Sequence, residues 1–153
     1  MANIRILVGT VYGNALNVAE NCADRLRSMG HAVSIARQSQ IEDVMDAEVD
    51  AFLVVTSTTG QGEIPDTLLM LYCQLKDRLP ILPVKHYGVI ALGDSSYDNF
   101  AEAGCLMDAL FQELELTRLE EILFIDACET MAPEEEALPW LAKWESVLPN
   151  NGS

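Results

Sequence analysis

The chain of 153 residues is half apolar and carries 24 acidic against 9 basic side chains, for a formal net charge of -15. That length suits one domain around a single core, and the apolar content is far above that of disordered chains. The charge argues against nucleic acid and anionic lipid as partners, because both attract Lys and Arg, and no apolar run reaches membrane-spanning length.

The opening Met1-Ala-Asn-Ile-Arg enters a strand pattern at once, with no basic region and no long apolar stretch, so no signal peptide is expected. Residues 4–8 are an apolar, β-branched run and predict the first strand. Val18, Ala19, Cys22, Leu26 and Met29 follow at helical spacing and predict a helix with one buried face. A second strand is expected at 31–36, a short helix near 40–47 and a third strand at 51–56. Leu68, Leu71, Tyr72, Leu75 and Leu79 mark the next amphipathic helix. A strand at 86–92, a helix at 101–114, a strand at 122–125 and a helix at 134–148 complete the order. In the last helix Ala137, Leu141, Trp144 and Leu148 form the core stripe; Trp140 and Trp144 read as packing residues, and His31 and His86 as surface or strand-cap residues.

Strict alternation of strand and helix implies parallel strands, right-handed crossovers and helices on both faces of the sheet. The expected fold is therefore α/β, a doubly wound five-stranded parallel sheet in one domain over residues 1–149, with a flexible tail at 150–153. Cys22, Cys73, Cys105 and Cys128 are widely spaced, without a CxxC or a His/Cys cluster, and read as reduced core residues of a cytoplasmic protein that holds no metal.

Sheets of this kind bind ligands beyond the carboxyl ends of their strands, which directs attention to three loops. After the first strand comes Gly9-Thr-Val-Tyr-Gly-Asn-Ala15. Backbone amides of a tight turn and of a helix N-terminus, with the Thr10 hydroxyl, suit a phosphate there. Lacking Lys and Arg, the loop is no Walker A site, and its glycines do not make the dinucleotide fingerprint GxGxxG. Plain turn chemistry also accounts for Gly and Thr at such a place. The second loop, Ser57-Thr-Thr-Gly-Gln-Gly-Glu-Ile-Pro-Asp66, offers hydroxyls, two glycines and Asp66 as the expected cap of the next helix. The third, Leu92-Gly-Asp-Ser-Ser-Tyr-Asp-Asn-Phe100, sets Tyr97 and Phe100 in an otherwise polar, acidic segment. Tyr97 suits stacking on a flat heteroaromatic ring, whereas Phe100 also fits simple packing beneath the following helix.

Taken together the three loops resemble those of the flavodoxins and of the related FMN domains of diflavin reductases, over essentially the whole chain. No insertion splits the last strand, so the resemblance is to short-chain flavodoxins, and the EIPD segment is similar to the small MioC type. It implies a flavodoxin-like sheet of order 2-1-3-4-5, FMN as cofactor, and one-electron transfer between an NAD(P)H-dependent flavoprotein reductase and acceptor redox enzymes that present basic faces. A monomer with no catalytic residues of its own is implied. By the same resemblance Thr10, Val11, Tyr12, Gly13, Asn14 and Ala15 hold the phosphate, with Thr58, Thr59, Gly60 and Gly62 beside the ring. Leu92, Gly93, Asp94, Tyr97, Asn99 and Phe100 line its other side, and the Gly60 carbonyl turns to accept a hydrogen bond from the proton that flavin N5 gains on first reduction.

Two positions depart from the family pattern. Tyr12 stands where a small hydroxyl residue is usual, and Thr59 where many members place Trp or Tyr against the ring. Losing one stacking aromatic, at about 1 kcal/mol, corresponds to roughly fivefold weaker FMN binding. Three other classes remain to be weighed. A phosphoacceptor signalling domain needs acids and a Lys where this chain has Thr56-Ser57, Gly9-Thr10 and Asp126-Ala127. An FMN-dependent reductase would need a nicotinamide or substrate site, and an FMN-free interaction module would keep the fold alone.

Overall fold

The computed structural model describes residues 2–10, 13–58, 63–93, 101–126 and 132–148. Strands β1 (Asn3–Gly9), β2 (Ala32–Ala36), β3 (Ala51–Thr56), β4 (His86–Gly93), β5 (Thr117–Arg118) and β6 (Leu123–Asp126) alternate with helices α1 (Asn14–Ser28), α2 (Ile41–Val44), α3 (Asp66–Arg78), α4 (Glu102–Glu113) and α5 (Pro133–Ser146), with β5 and β6 consecutive. The order across the sheet is β2-β1-β3-β4, and both β5 and β6 lie on the outer side of β4. Every described pairing is parallel.

The register explains why the central strands read as continuous apolar runs. Ile4 pairs with Val33 on one side and Ala51 on the other, and Ala51 pairs with His86. All six residues of β3 are buried, because helices cover both faces of it. One face packs Ile4, Ile6, Val8, Leu53 and Val55 against α1 and α5, through Val18, Cys22, Leu26, Leu141 and Trp144. The opposite face packs Leu7, Phe52, Val54 and Val89 against α3 and α4, through Leu68, Leu71, Leu75, Met107 and Phe111. Trp140 and Trp144 stack with ring centroids 6.2 Å apart, in keeping with their reading as packing residues.

The differences from expectation lie at the edges. The fifth strand occupies its expected place in two pieces, with Thr117 and Arg118 opposite His86 and Tyr87, and Leu123 to Asp126 opposite Ile90 to Gly93. Between them the Glu121 carbonyl accepts from Trp140 Nε1 at 2.8 Å, tying the intervening segment to α5. Met29 and Leu79 leave their helical stripes and are exposed, because each caps its helix instead of continuing it. Leu79 has φ 44, and Pro80 behind it disfavours the right-handed helical conformation. Cys22 is buried, and burial pushes its thiol up to about 12, but Cys73 and Cys105 are exposed rather than core residues. The side chain of His31 is 9% exposed: Nδ1 accepts from the Ala2 N–H at 2.9 Å and Nε2 lies 2.9 Å from Glu145 Oε1. Cys128 and the tail 150–153 lie outside the described residues.

Candidate functional site

The carboxyl ends of three strands are in step. Gly9 pairs with Thr56 and Thr56 with Ala91, so β1, β3 and β4 reach the same edge of the sheet. Close approach at this edge requires glycine at position 9, where a Cβ would stand 2.3 Å from Thr56 Oγ1 and 3.1 Å from Leu68 Cδ2.

Beyond Gly9 the backbone turns on neutral hydrogen bonds. The Gly13 N–H donates to Thr10 Oγ1 at 2.8 Å, and the Thr10 N–H donates to Thr67 Oγ1 at 3.0 Å. Gly13 has φ 89 and is the N-cap of α1, so the turn uses a conformation that glycine adopts without strain and that leaves no capping side chain. The Asn17 N–H is the first to find an intrahelical carbonyl, that of Gly13. Helix geometry therefore leaves the N–H groups of Asn14, Ala15 and Leu16 without carbonyls inside the helix. Acids occupy the first turn of α2 (Glu42, Asp43), α3 (Asp66), α4 (Glu102) and α5 (Glu134, Glu135, Glu136), while α1 has none. The positive end of the α1 dipole is thus uncompensated by a carboxylate of its own first turn.

The second loop is held at both ends. Ser57 donates to the Gly9 carbonyl from its N–H at 2.8 Å and from its hydroxyl at 3.3 Å. Thr58 Oγ1 accepts from the Ala103 N–H at 3.1 Å, which supplies a partner to the first turn of α4, whose N-cap Ala101 has no capping side chain. At the far end Pro65, not Asp66, is the N-cap of α3, since its carbonyl receives the Leu68 and Leu69 N–H groups.

Of the residues singled out from sequence, Thr10, Gly13, Asn14, Ala15, Thr58, Leu92 and Gly93 are described, and all gather at this edge. Ala15 and Leu92 turn their side chains into the core, so only their backbone faces the edge. Val11, Tyr12, Thr59, Gly60, Gly62, Asp94, Tyr97, Asn99 and Phe100 lie outside the described residues. Much of the bracing comes from Ser57, read from sequence only as one of the loop's hydroxyls, and from Thr67, which sequence reasoning passed over; the available signal was a hydroxyl residue just past the loop's end. Among the described residues, no group of three or more His, Cys, Asp or Glu side chains could hold a metal ion, and no helix is long and apolar enough to cross a membrane.

A doubly wound parallel sheet whose β1, β3 and β4 end at one edge, with an uncharged turn leading into α1, belongs to the class of mononucleotide-binding α/β folds. Residues 6–140 match the family model described as Flavodoxin. The chain is 47% identical over 148 residues to Flavodoxin YqcA of Pectobacterium carotovorum, covering 97% of this chain and 98% of that one. To Protein MioC of Escherichia coli it is 31% identical over 148 residues, covering 97% and 99%, so the MioC likeness seen in EIPD is the more distant of the two. A cysteine-to-serine mutant of flavodoxin from Pseudomonas aeruginosa superposes with a TM-score of 0.88 at 40% identity, covering 95% of this chain and 98% of that one. The chain belongs to the flavodoxin family. It is an FMN-binding electron carrier.

Proposed function

We propose that this carrier moves single electrons between an NAD(P)H-dependent flavoprotein reductase and acceptor redox enzymes in the cytoplasm, as a monomer that turns over no substrate of its own. The N-terminus of α1 would hold the phosphate of FMN, and the second and third loops would hold the flavin ring. The observation that carries this placement is the distribution of charge: α1 is the one described helix with no acid in its first turn, and its N-cap has no side chain. A phosphate fits that arrangement, because the N–H groups of Asn14, Ala15 and Leu16 are unused within the helix and the dipole favours an anion.

FMN, when bound, supplies the one-electron chemistry, and the chain supplies binding, orientation and electrostatics. Thr10 Oγ1 already accepts from Gly13, so the Thr10 hydroxyl keeps its proton for a phosphate oxygen. Val11 and Tyr12 complete the phosphate turn. Thr58, Thr59, Gly60 and Gly62 would hold one side of the ring, and Leu92, Gly93, Asp94, Tyr97, Asn99 and Phe100 the other, with Tyr97 as the aromatic partner. The Gly60 carbonyl would offer an acceptor for an N–H of the ring. Around the site Glu63, Asp66 and Glu102 add to an overall charge of -15, which steers a basic partner toward the flavin edge and resists adding negative charge there.

The test is a reconstituted chain of electron transfer. FMN-loaded protein, a ferredoxin-type NADPH reductase and cytochrome c are mixed, and cytochrome reduction is followed at increasing salt. Reduction that requires both proteins and slows as salt rises is expected. Steady NADPH oxidation by this chain alone would contradict the carrier reading in favour of a reductase.

A further inference from the structure

Among the described residues, the best-connected side chain at the carboxyl edge is one that the flavin-loop motifs do not include. Thr67, in the first turn of α3, receives the Thr10 N–H on its hydroxyl oxygen at 3.0 Å. Its own proton goes to the Val8 carbonyl at 3.2 Å, with the Thr10 carbonyl at 3.5 Å as a second acceptor. Its backbone carbonyl receives the Ser39 N–H at 2.8 Å from the segment after β2. One residue thus joins three segments that leave the sheet at the same edge.

We propose that Thr67 is a positioning residue for the phosphate of FMN, acting through Thr10. This rests on the placement of the phosphate at α1 given above. The chain of bonds is short: Thr67 fixes the Thr10 backbone, Thr10 Oγ1 fixes the Gly13 N–H, and Gly13 opens α1. With Thr67 in place, the Thr10 hydroxyl and the three unused N–H groups of α1 are aimed before the ligand arrives, so less ordering is left to oppose binding. Thr67 reaches only the phosphate end. Its described contacts are with the β1–α1 turn and the Ser39 segment, and Thr58 serves the other flank through the Ala103 N–H. A hydroxyl is required because the site both accepts and donates, which an alkyl group of the same shape cannot do.

Binding of FMN and of riboflavin, which lacks the phosphate, separates positioning from general support. Each is titrated into the full chain and into Thr67→Val and Thr67→Ser by quenching of flavin fluorescence. Thr67→Val is expected to weaken FMN about tenfold while riboflavin changes less than twofold, and Thr67→Ser is expected to keep the wild-type preference for FMN. If Thr67→Val leaves the FMN-to-riboflavin ratio intact, whether both flavins bind as before or both weaken together, the assignment is overturned. Loss of the ratio in Thr67→Ser, the variant that best preserves folding, overturns it as well. A wild-type protein with no preference for FMN would instead defeat the phosphate placement and this assignment together.

Discussion

At the amino ends of the strands, ionisable side chains close directly on the backbone. Asp50 Oδ2 accepts from the Asn3 N–H at 2.8 Å, His31 Nδ1 accepts from the Ala2 N–H at 2.9 Å, and the same imidazole reaches Glu145 on α5 through Nε2. Because Nδ1 is the acceptor, the proton sits on Nε2 and is donated to the carboxylate. At the carboxyl ends the bonds run from 2.8 to 3.3 Å, and the described side chains that make them, those of Thr10, Ser57, Thr58 and Thr67, are neutral hydroxyls. The comparison teaches that charge seals the amino end, whereas the described bonds at the carboxyl end are made without it. Carboxylates at the amino end use their charge on the protein's own N–H groups, whereas the described hydroxyls at the carboxyl end shape the turn, and no acid stands in the first turn of α1.

The sharpest way to break this contrast is to fill the carboxyl edge. Gly9→Ala puts a methyl 2.3 Å from Thr56 Oγ1, which is buried and cannot give way freely. Overpacking of this kind costs about 2–3 kcal/mol. Urea denaturation is expected to show that loss together with weakened FMN binding. The complementary experiment opens the sealed end. His31→Ala removes the acceptor for Ala2 and the partner of Glu145, so a loss of about 2 kcal/mol is expected in the same assay, with FMN affinity unchanged because the contacts lie across the length of the sheet. A fall in FMN affinity there would show that the ends are not independent.

Smaller effects refine the division. Thr58→Val removes the acceptor at the start of α4, equivalent to losing a helix cap, and is expected to cost about 1 kcal/mol and to hasten hydrogen exchange at Ala103. The middle of the molecule supplies a pH marker that neither end should influence. The thiol of Cys22 is raised by burial from 9.0 to about 12, so its neutral form is favoured by folding. That contribution is complete below about pH 9 and is lost as pH rises toward 12. Cys22→Ala is expected to blunt the alkaline decline in stability, measured by denaturant titration between pH 8 and 11, while leaving flavin selectivity as it was.

Much of this was legible in the residues. Five apolar runs separated by helical stripes identified the doubly wound sheet, because strands covered on both faces cannot afford polar alternation. Gly and Thr after β1 pointed to the tight turn that Thr10 and Gly13 make ahead of α1. Thr67 was not legible, since its role comes from a contact with Thr10 across the crossover rather than from local spacing. Nor was the break between β5 and β6, where Glu121 uses its carbonyl on Trp140. Leu79 and Met29 fit helical periodicity until the chain left the helix at each, and periodicity alone cannot mark that point. The exposed Cys73 and Cys105 show the limit of reading an apolar residue type as core without its face.

The account's central claim is that uncharged donors hold the phosphate, and calorimetric titration of FMN into the full chain at low and at high potassium chloride tests it most directly. With no Lys or Arg from Gly9 to Ala15 and a net charge of -15, binding should hold steady or tighten as salt screens the repulsion between protein and ligand. Affinity that falls steeply with added salt would reveal a cationic grip on the phosphate and contradict the account.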